Sequence, residues 1–252
     1  GQVPGKRRRG QSQAPAGDPQ VRGSTTAVAD RLTPDASRLT ATLRITEIFY
    51  SLQGETSRVG LPTVFIRLTG CPLRCGYCDT EYAFHGGTTM TLAAVLAAAA
   101  RYRTRYVTVT GGEPLAQGSC RVLLRELADR GYSVSLETSG AIDVAQTDSR
   151  VSKILDIKTP GSGEADRNLW GNLAHLTARD EIKFVICGAA DYEWAKRQLA
   201  ERGLDAVCPV LFAPSYHELP AAQLADWVLR DQLPVRLQVQ LHKQLWGERP
   251  GV

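Results

Sequence analysis

From Thr63 to Val239 the chain repeats one pattern: a short aliphatic or β-branched run, a loop, then a longer stretch of helical composition. Strands are expected at residues 63–69, 106–110, 132–136, 154–157, 182–186, 206–211 and 235–239, with an earlier one at 43–49. Helices are expected at 92–102, 119–130, within 167–177, at 191–202 and at 219–231. Thr91 is placed to cap the first of these, and Gly131 and Gly203 to end two others. Strands spaced by helices pair in parallel through right-handed crossovers. Some six strand–helix units are too few to close a barrel of eight. The expected fold class is therefore α/β, an open, partial β/α barrel, with its chemistry on the loops at the C-terminal ends of the strands.

The unusual motifs fall at those ends. Cys71-Pro72-Leu73-Arg74-Cys75-Gly76-Tyr77-Cys78 follows one strand, Gly111-Gly112-Glu113-Pro114 the next, Glu137-Thr138-Ser139-Gly140 the third, and Lys158 closes the fourth. The cysteines stand at C-x3-C-x2-C spacing in a segment of loop composition, so three sulfurs can face one point. Converging thiolates bind a soft metal or an iron–sulfur cluster. A four-iron cluster in an electron-transfer protein takes one cysteine per iron. Three local thiolates leave one iron for a ligand that is not protein. A structural zinc site is the rival reading, with His85 as the nearest fourth ligand. A disulfide role is not expected for three clustered cysteines without a secretory signal. Cys120, Cys187 and Cys208 are isolated and read as small buried apolar residues.

Composition narrows the function classes. No apolar run approaches the ~20 residues of a membrane span, and the expected compartment is the cytoplasm. The net charge of +4 resides in residues 1–40, where seven basic residues, among them Lys6-Arg7-Arg8-Arg9, face three acidic ones. The rest of the chain is neutral, which argues against a nucleic-acid-binding surface. Residues 1–40 hold few large apolar side chains and are expected to be a disordered basic extension; residues 41–252 are expected to form the catalytic domain.

The cysteine triplet resembles the motif of radical S-adenosylmethionine (SAM) enzymes, which leave one iron of a 4Fe-4S cluster to SAM. That resemblance implies SAM contacts at Gly112 and Glu113, with Glu137, Ser139, Asp156, Ile157 and Lys158 lining the SAM pocket, Lys158 facing the SAM carboxylate. A closer resemblance rests on Phe49-Tyr50-Ser51-Leu52-Gln53-Gly54-Glu55, Thr63-Val64-Phe65-Ile66-Arg67-Leu68, Cys78-Asp79-Thr80 and Gln240-Leu241-His242-Lys243-Gln244-Leu245-Trp246-Gly247. Together these resemble the 7-carboxy-7-deazaguanine synthases over residues 44–252. Asp156-Ile157-Lys158 departs from the Ser-Pro-Lys common in relatives, while the lysine is kept.

That family implies conversion of 6-carboxy-5,6,7,8-tetrahydropterin to 7-carboxy-7-deazaguanine with loss of ammonia, in queuosine and 7-deazapurine biosynthesis. It implies a cluster on Cys71, Cys75 and Cys78, Mg2+ at Thr80, and a reductant such as flavodoxin or ferredoxin in a homodimeric enzyme. Substrate contacts fall on Leu52, Gln53, Gly54, Glu55, Arg67, Thr110, Gln240, His242 and Val252. Two other readings are carried beside it. One is a radical SAM activase acting on a partner protein, which leaves Leu-Gln-Gly-Glu without a role. The other is a zinc-binding RNA-interaction module using the basic extension.

Overall fold

Alternation within each strand decides which side of the sheet meets the helices. The computed structural model describes residues 36–249 and residue 251; expectations placed on residues 1–35 and on Val252 lie outside the described residues. After a short helix α1 (Ala36–Leu39) come the antiparallel strands β1 (Thr42–Leu52) and β2 (Pro62–Leu68). The third, β3 (Thr88–Thr91), pairs antiparallel with β1 on its other side. From β2 onward the sheet is parallel: β4 (Tyr106–Gly111), β5 (Ser133–Thr138), β6 (Ser152–Ile157), β7 (Glu181–Ile186), β8 (Val210–Pro214) and β9 (Arg236–Leu237). The order is β3-β1-β2-β4-β5-β6-β7-β8-β9, so among the described residues β3 and β9 are the edges and the barrel is open, as expected.

Val64, Ile66 and Leu68 of β2, Val107 and Val109 of β4, Leu155 and Ile157 of β6, and Ile182, Phe184 and Ile186 of β7 share one face and one buried core. Against them pack α2 (Leu92–Ala99), α3 (Cys120–Asp129), α4 (Ala189–Arg202) and α5 (Ala221–Arg230). Each large aliphatic side chain buried this way contributes roughly 1.5–3 kcal/mol. The opposite parity carries Arg67, Thr110, Glu137, Asp156 and Lys183 on the other face. That is why these strands read as mixed rather than as unbroken apolar runs.

Several expectations are corrected. The helix expected within 167–177 is absent; the segment makes 3₁₀ turns at Ala165–Arg167 and Trp170–His175. Asn172 there donates to Gly140 O and Ile142 O and accepts from Val144 N, so its buried amide stitches a loop that a regular helix would pull apart. The strand expected at 206–211 starts only at Val210, because Leu204–Ala206 turns as a 3₁₀ segment and Pro209 cannot donate to a ladder. Only Arg236–Leu237 of residues 235–239 pairs. Residues 50–52, expected as a turn, complete β1. The described residues start with α1, which falls inside the stretch expected as an extension. Strand β3 and a last helix, α6 (Leu241–Trp246), had no counterpart in the expected elements. Thr91 does cap α2, accepting from Ala94 N.

Candidate active site

The polar face of the sheet lines a cavity of about 600 Å3. Its rim is built by the loops after β2, β4, β5 and β6, and its floor partly by the chain between β1 and β2. Ser57 of that connection donates to Glu181 from both its N–H and its hydroxyl, and Arg58 Nη1 donates to Ser133 O at 3.0 Å. This anchorage carries Gln53, Gly54 and Glu55 into the cavity wall.

On one side of the cavity stand Cys71, Cys75 and Cys78, all free, half-buried thiols. The loop after β4 presses against them. A β-carbon on Gly112 would overlap Gly70 O and stand 2.7 Å from Cβ of Cys71, so only glycine admits this approach. Burial raises all three thiols, Cys75 to about 11, while the nearby Lys158 ammonium pulls each the other way. Thiols held up by burial are deprotonated by the metal they bind. Three soft donors on one loop fit a cluster with one iron left over. Among the described residues no three His, Cys, Asp or Glu side chains meet as a single metal ion requires, and His85 is exposed outside the cavity lining.

Beside the thiols the wall suits a polar ligand. Asp156 and Tyr77 line the cavity, and Asp156 Oδ1 and Tyr77 Oη are buried with no partner, which such atoms call for. Asp156 Oδ2 is 3.1 Å from Lys158 Nζ. Of the residues expected around SAM, Gly112, Glu137, Ser139, Asp156 and Lys158 line the cavity.

Glu113 and Ile157 do not. The Glu113 carboxylate is fully buried under the rim, where it accepts from Leu115 N at 2.9 Å, Thr138 Oγ1 at 2.9 Å, Ser139 N at 2.7 Å and Ser139 Oγ at 2.5 Å. It fastens the loop after β4 to the end of β5 and has no oxygen turned to the cavity. The Ile157 side chain has the parity of the helix-facing core.

Across the cavity, Gln53 Nε2 donates to Thr108 Oγ1 at 3.1 Å and Glu137 Oε1 at 3.3 Å, and Thr110 Oγ1 donates to Glu137 Oε2 at 2.9 Å. Glu55 accepts from Lys183 Nζ at 2.6 Å and Gln240 Nε2 at 2.8 Å. Burial would raise both carboxyls. At Glu55 the Lys183 ammonium outweighs it and holds the group below the usual range. At Glu137 burial and the negative Glu55 win, and the group is raised. Arg67 Nε donates to Glu47 at 2.7 Å, with its guanidinium near the rings of Phe49 and Tyr82. Helix α6 closes this side: Leu241 N donates to Gly54 O at 2.9 Å and lays His242 over Gly54. Leu52, Gln53, Gly54, Glu55, Arg67, Thr110, Gln240 and His242 thus come together.

Thr80 joins the two sides. Its hydroxyl donates to Asp79 Oδ1 at 2.9 Å, and Asp79 Oδ2 accepts from Lys243 Nζ at 2.8 Å. Burial opposes it, but Lys243 holds Asp79 well below the ordinary carboxylate range.

Residues 65–160 match the radical SAM superfamily. The 7-carboxy-7-deazaguanine synthase of Chlorobaculum tepidum is 45% identical over 210 residues, covering 82% of this chain and 96% of that protein. This chain belongs to the 7-carboxy-7-deazaguanine synthase family. The synthase of Koribacter versatilis is 42% identical over 226 residues, covering 83% of this chain and all of that protein. The crystal structure of QueE from Escherichia coli superposes with a TM-score of 0.67 at 25% identity, covering 83% of this chain and all of that one. As a radical SAM enzyme of the 7-carboxy-7-deazaguanine synthase family, the chain takes a 4Fe-4S cluster and SAM. Among the described residues no helix is long and apolar enough to cross a membrane.

Two residues of this synthase-family site escaped the sequence reading. Lys183 pairs with Glu55, and Lys243 ties α6 to Asp79. A signal for Lys183 existed: it interrupts the apolar strand Glu181–Ile186 at the parity of the polar face. Lys243 stands within Gln-Leu-His-Lys, but only contact across the cavity reveals its partner.

Proposed function

We propose that the chain converts 6-carboxy-5,6,7,8-tetrahydropterin to 7-carboxy-7-deazaguanine with loss of ammonia. One observation carries the reading: a set of groups suited to a pterin edge faces a three-thiolate rim across one cavity. When bound, the cluster and SAM supply reductive cleavage and a carbon-centred radical able to take hydrogen from C6 of the pterin. Cys71, Cys75 and Cys78 hold the cluster. Gly112, Glu137, Ser139, Asp156 and Lys158 bind SAM, with Lys158 opposite its carboxylate.

Glu55, kept ionised by Lys183, accepts the amine and amide N–H groups of the pterin edge. Burial holds His242 below the usual imidazole value, so a neutral ring covers the substrate. Gln53, Gln240 and Thr110 fix orientation beside it. Arg67 presents the remainder of its guanidinium fork to the substrate carboxylate. The Thr80 hydroxyl and the Asp79 carboxylate are hard oxygen donors of the kind Mg2+ takes, and we assign the ion to Thr80. A substrate contact at Val252 belongs to the same reading and lies outside the described residues.

A reduced cluster with thiolate ligands suits a reducing compartment, with a flavodoxin or ferredoxin as electron donor. The enzyme acts as a homodimer in this reading, which the exposed Leu245 and Trp246 of α6 support.

The test is turnover without oxygen of the carboxytetrahydropterin by the reconstituted protein, with SAM, Mg2+ and a reductant. The deazaguanine acid and ammonia are expected in equal amounts. SAM cleavage without that product would move the chain to the activase reading.

A further inference from the structure

Four charged groups form an alternating row along the cavity: Glu55, Lys183, Asp156 and Lys158. Lys183 Nζ stands 2.6 Å from Glu55 Oε2 and 3.8 Å from Asp156 Oδ2, and Asp156 Oδ2 stands 3.1 Å from Lys158 Nζ. The first of these residues belongs to the pterin side of the cavity and the last two to the SAM side. Lys183 is the link between them.

Its place follows from the sheet. Asp156 and Lys183 are register partners across β6 and β7, so their side chains leave the same face as neighbours. Glu55 reaches the same point from the connection between β1 and β2. The lysine side chain is only 14% exposed, and the two carboxylates beside it are 13% and 19% exposed. A buried ammonium is tolerated where acceptors surround it, and its three donors can serve more than one carboxylate.

We propose that Lys183 is a positioning residue serving both ligands, orienting Glu55 towards the pterin and Asp156 towards SAM. Its side chain is not among those lining the cavity, so in this inference it acts through the two carboxylates and touches neither ligand itself. The inference rests on the proposed pterin reaction. Its content is a division of labour: Glu55 reads the substrate, and Lys183 sets its charge and rotamer. Asp156 keeps Oδ1 unpartnered because Lys158 and Lys183 both draw on Oδ2. The groups facing Glu55 are Lys183 on β7, Glu137 on β5, Asp79 on the cysteine loop and His242 on α6. Lys183 is the cation in hydrogen-bond contact with it, so removing that charge leaves the carboxyl among negative and neutral neighbours.

The experiment is calorimetric titration of the carboxytetrahydropterin and of SAM into oxygen-free reconstituted protein, from pH 5 to pH 9. It compares the parent with Lys183→Met, Lys183→Arg, Glu55→Gln and the double variant Glu55→Gln/Lys183→Met. Lys183→Met is expected to weaken pterin binding roughly 10- to 100-fold, the effect of losing one hydrogen bond to a charged group. Its pterin affinity should also acquire a pH dependence, improving as pH rises and Glu55 ionises, which a merely structural role would not produce. SAM binding should weaken less, and Lys183→Arg should restore part of both.

In the Glu55→Gln background, Lys183→Met should add under about twofold for the pterin, since the carboxylate it holds is already gone. The double variant buries one charged pair fewer, so the comparison survives if Lys183→Met alone folds poorly. Parent-like pterin affinity in Lys183→Met across the pH range, or additive losses in the double variant, would overturn the inference while leaving the reaction intact. A parent protein that binds SAM but no pterin would overturn the reaction itself, and this inference with it.

Discussion

Gly54 lies against the imidazole of His242 so closely that a β-carbon there would overlap Nδ1 and stand 2.9 Å from Cγ. The contact is locked from the backbone, since Leu241 N donates to Gly54 O. Gly54→Ala must therefore push α6 outward or rotate His242 away from the cavity. The expected result is a KM for the pterin raised about tenfold or more, with iron content and SAM binding unchanged; a misplacement of ~1 Å can cost that much. Steady-state kinetics beside an iron assay check it. A parent-like KM would show that His242 does not cover the substrate.

Glu137 gives a prediction in pH. Its carboxyl is raised above the 4.5 of an ordinary glutamate by burial and by Glu55. The folded state then holds a proton that the unfolded chain has released, so this residue's contribution to stability is present below about pH 4.5 and is lost as pH rises through the folded value. Glu137→Gln mimics the protonated form and can still accept from Thr110. Relative to the parent, its Tm should rise steadily as pH increases from 5 to 9. A Tm difference that does not change with pH would contradict the assignment.

Glu113 separates structure from binding. Four donors converge on its two oxygens, so Glu113→Ala strands Leu115 N, Ser139 N and the Thr138 and Ser139 hydroxyls. The cost is about 2–4 kcal/mol of stability, readable by denaturant unfolding. Glu113→Gln should be damaging too, because an amide turns a donor towards Leu115 N or Ser139 N. A near-neutral Glu113→Gln would mean that the loop after β4 is held some other way.

Thr80 tests the ion. Thr80→Val removes the hydroxyl beside Asp79, and the expected outcome is loss of most Mg2+ stimulation of turnover with cluster absorbance unchanged. An unaltered Mg2+ dependence would place the ion elsewhere.

Much of this was legible in the sequence because two periodicities coincide. The recurring strand and helix runs pointed to an open parallel sheet, and the motifs at the strand ends marked the rim. Gly112 stood in a motif assigned to SAM, and the structure adds that its lack of a side chain lets the loop press against Gly70 and Cys71. What stayed hidden depended on contacts between distant segments. Glu113 has the residue type for a ligand contact, and only the positions of Thr138 and Ser139 turn it inward. Ile157 lay in a plausible motif but at the wrong parity. Lys183 looked like an ordinary strand lysine until Glu55, 128 residues away, was brought beside it. The helix expected within 167–177 failed on one buried asparagine, whose amide answers the backbone of a preceding loop.

Everything in the account depends on an iron that Cys71, Cys75 and Cys78 leave to SAM. The most direct measurement is electron paramagnetic resonance on the reduced, oxygen-free protein, with iron and sulfide quantified, before and after SAM. About four irons per chain and a signal that shifts when SAM is added are expected, both lost in Cys75→Ala. A cluster signal indifferent to saturating SAM, or a folded chain that takes up no iron, would contradict it.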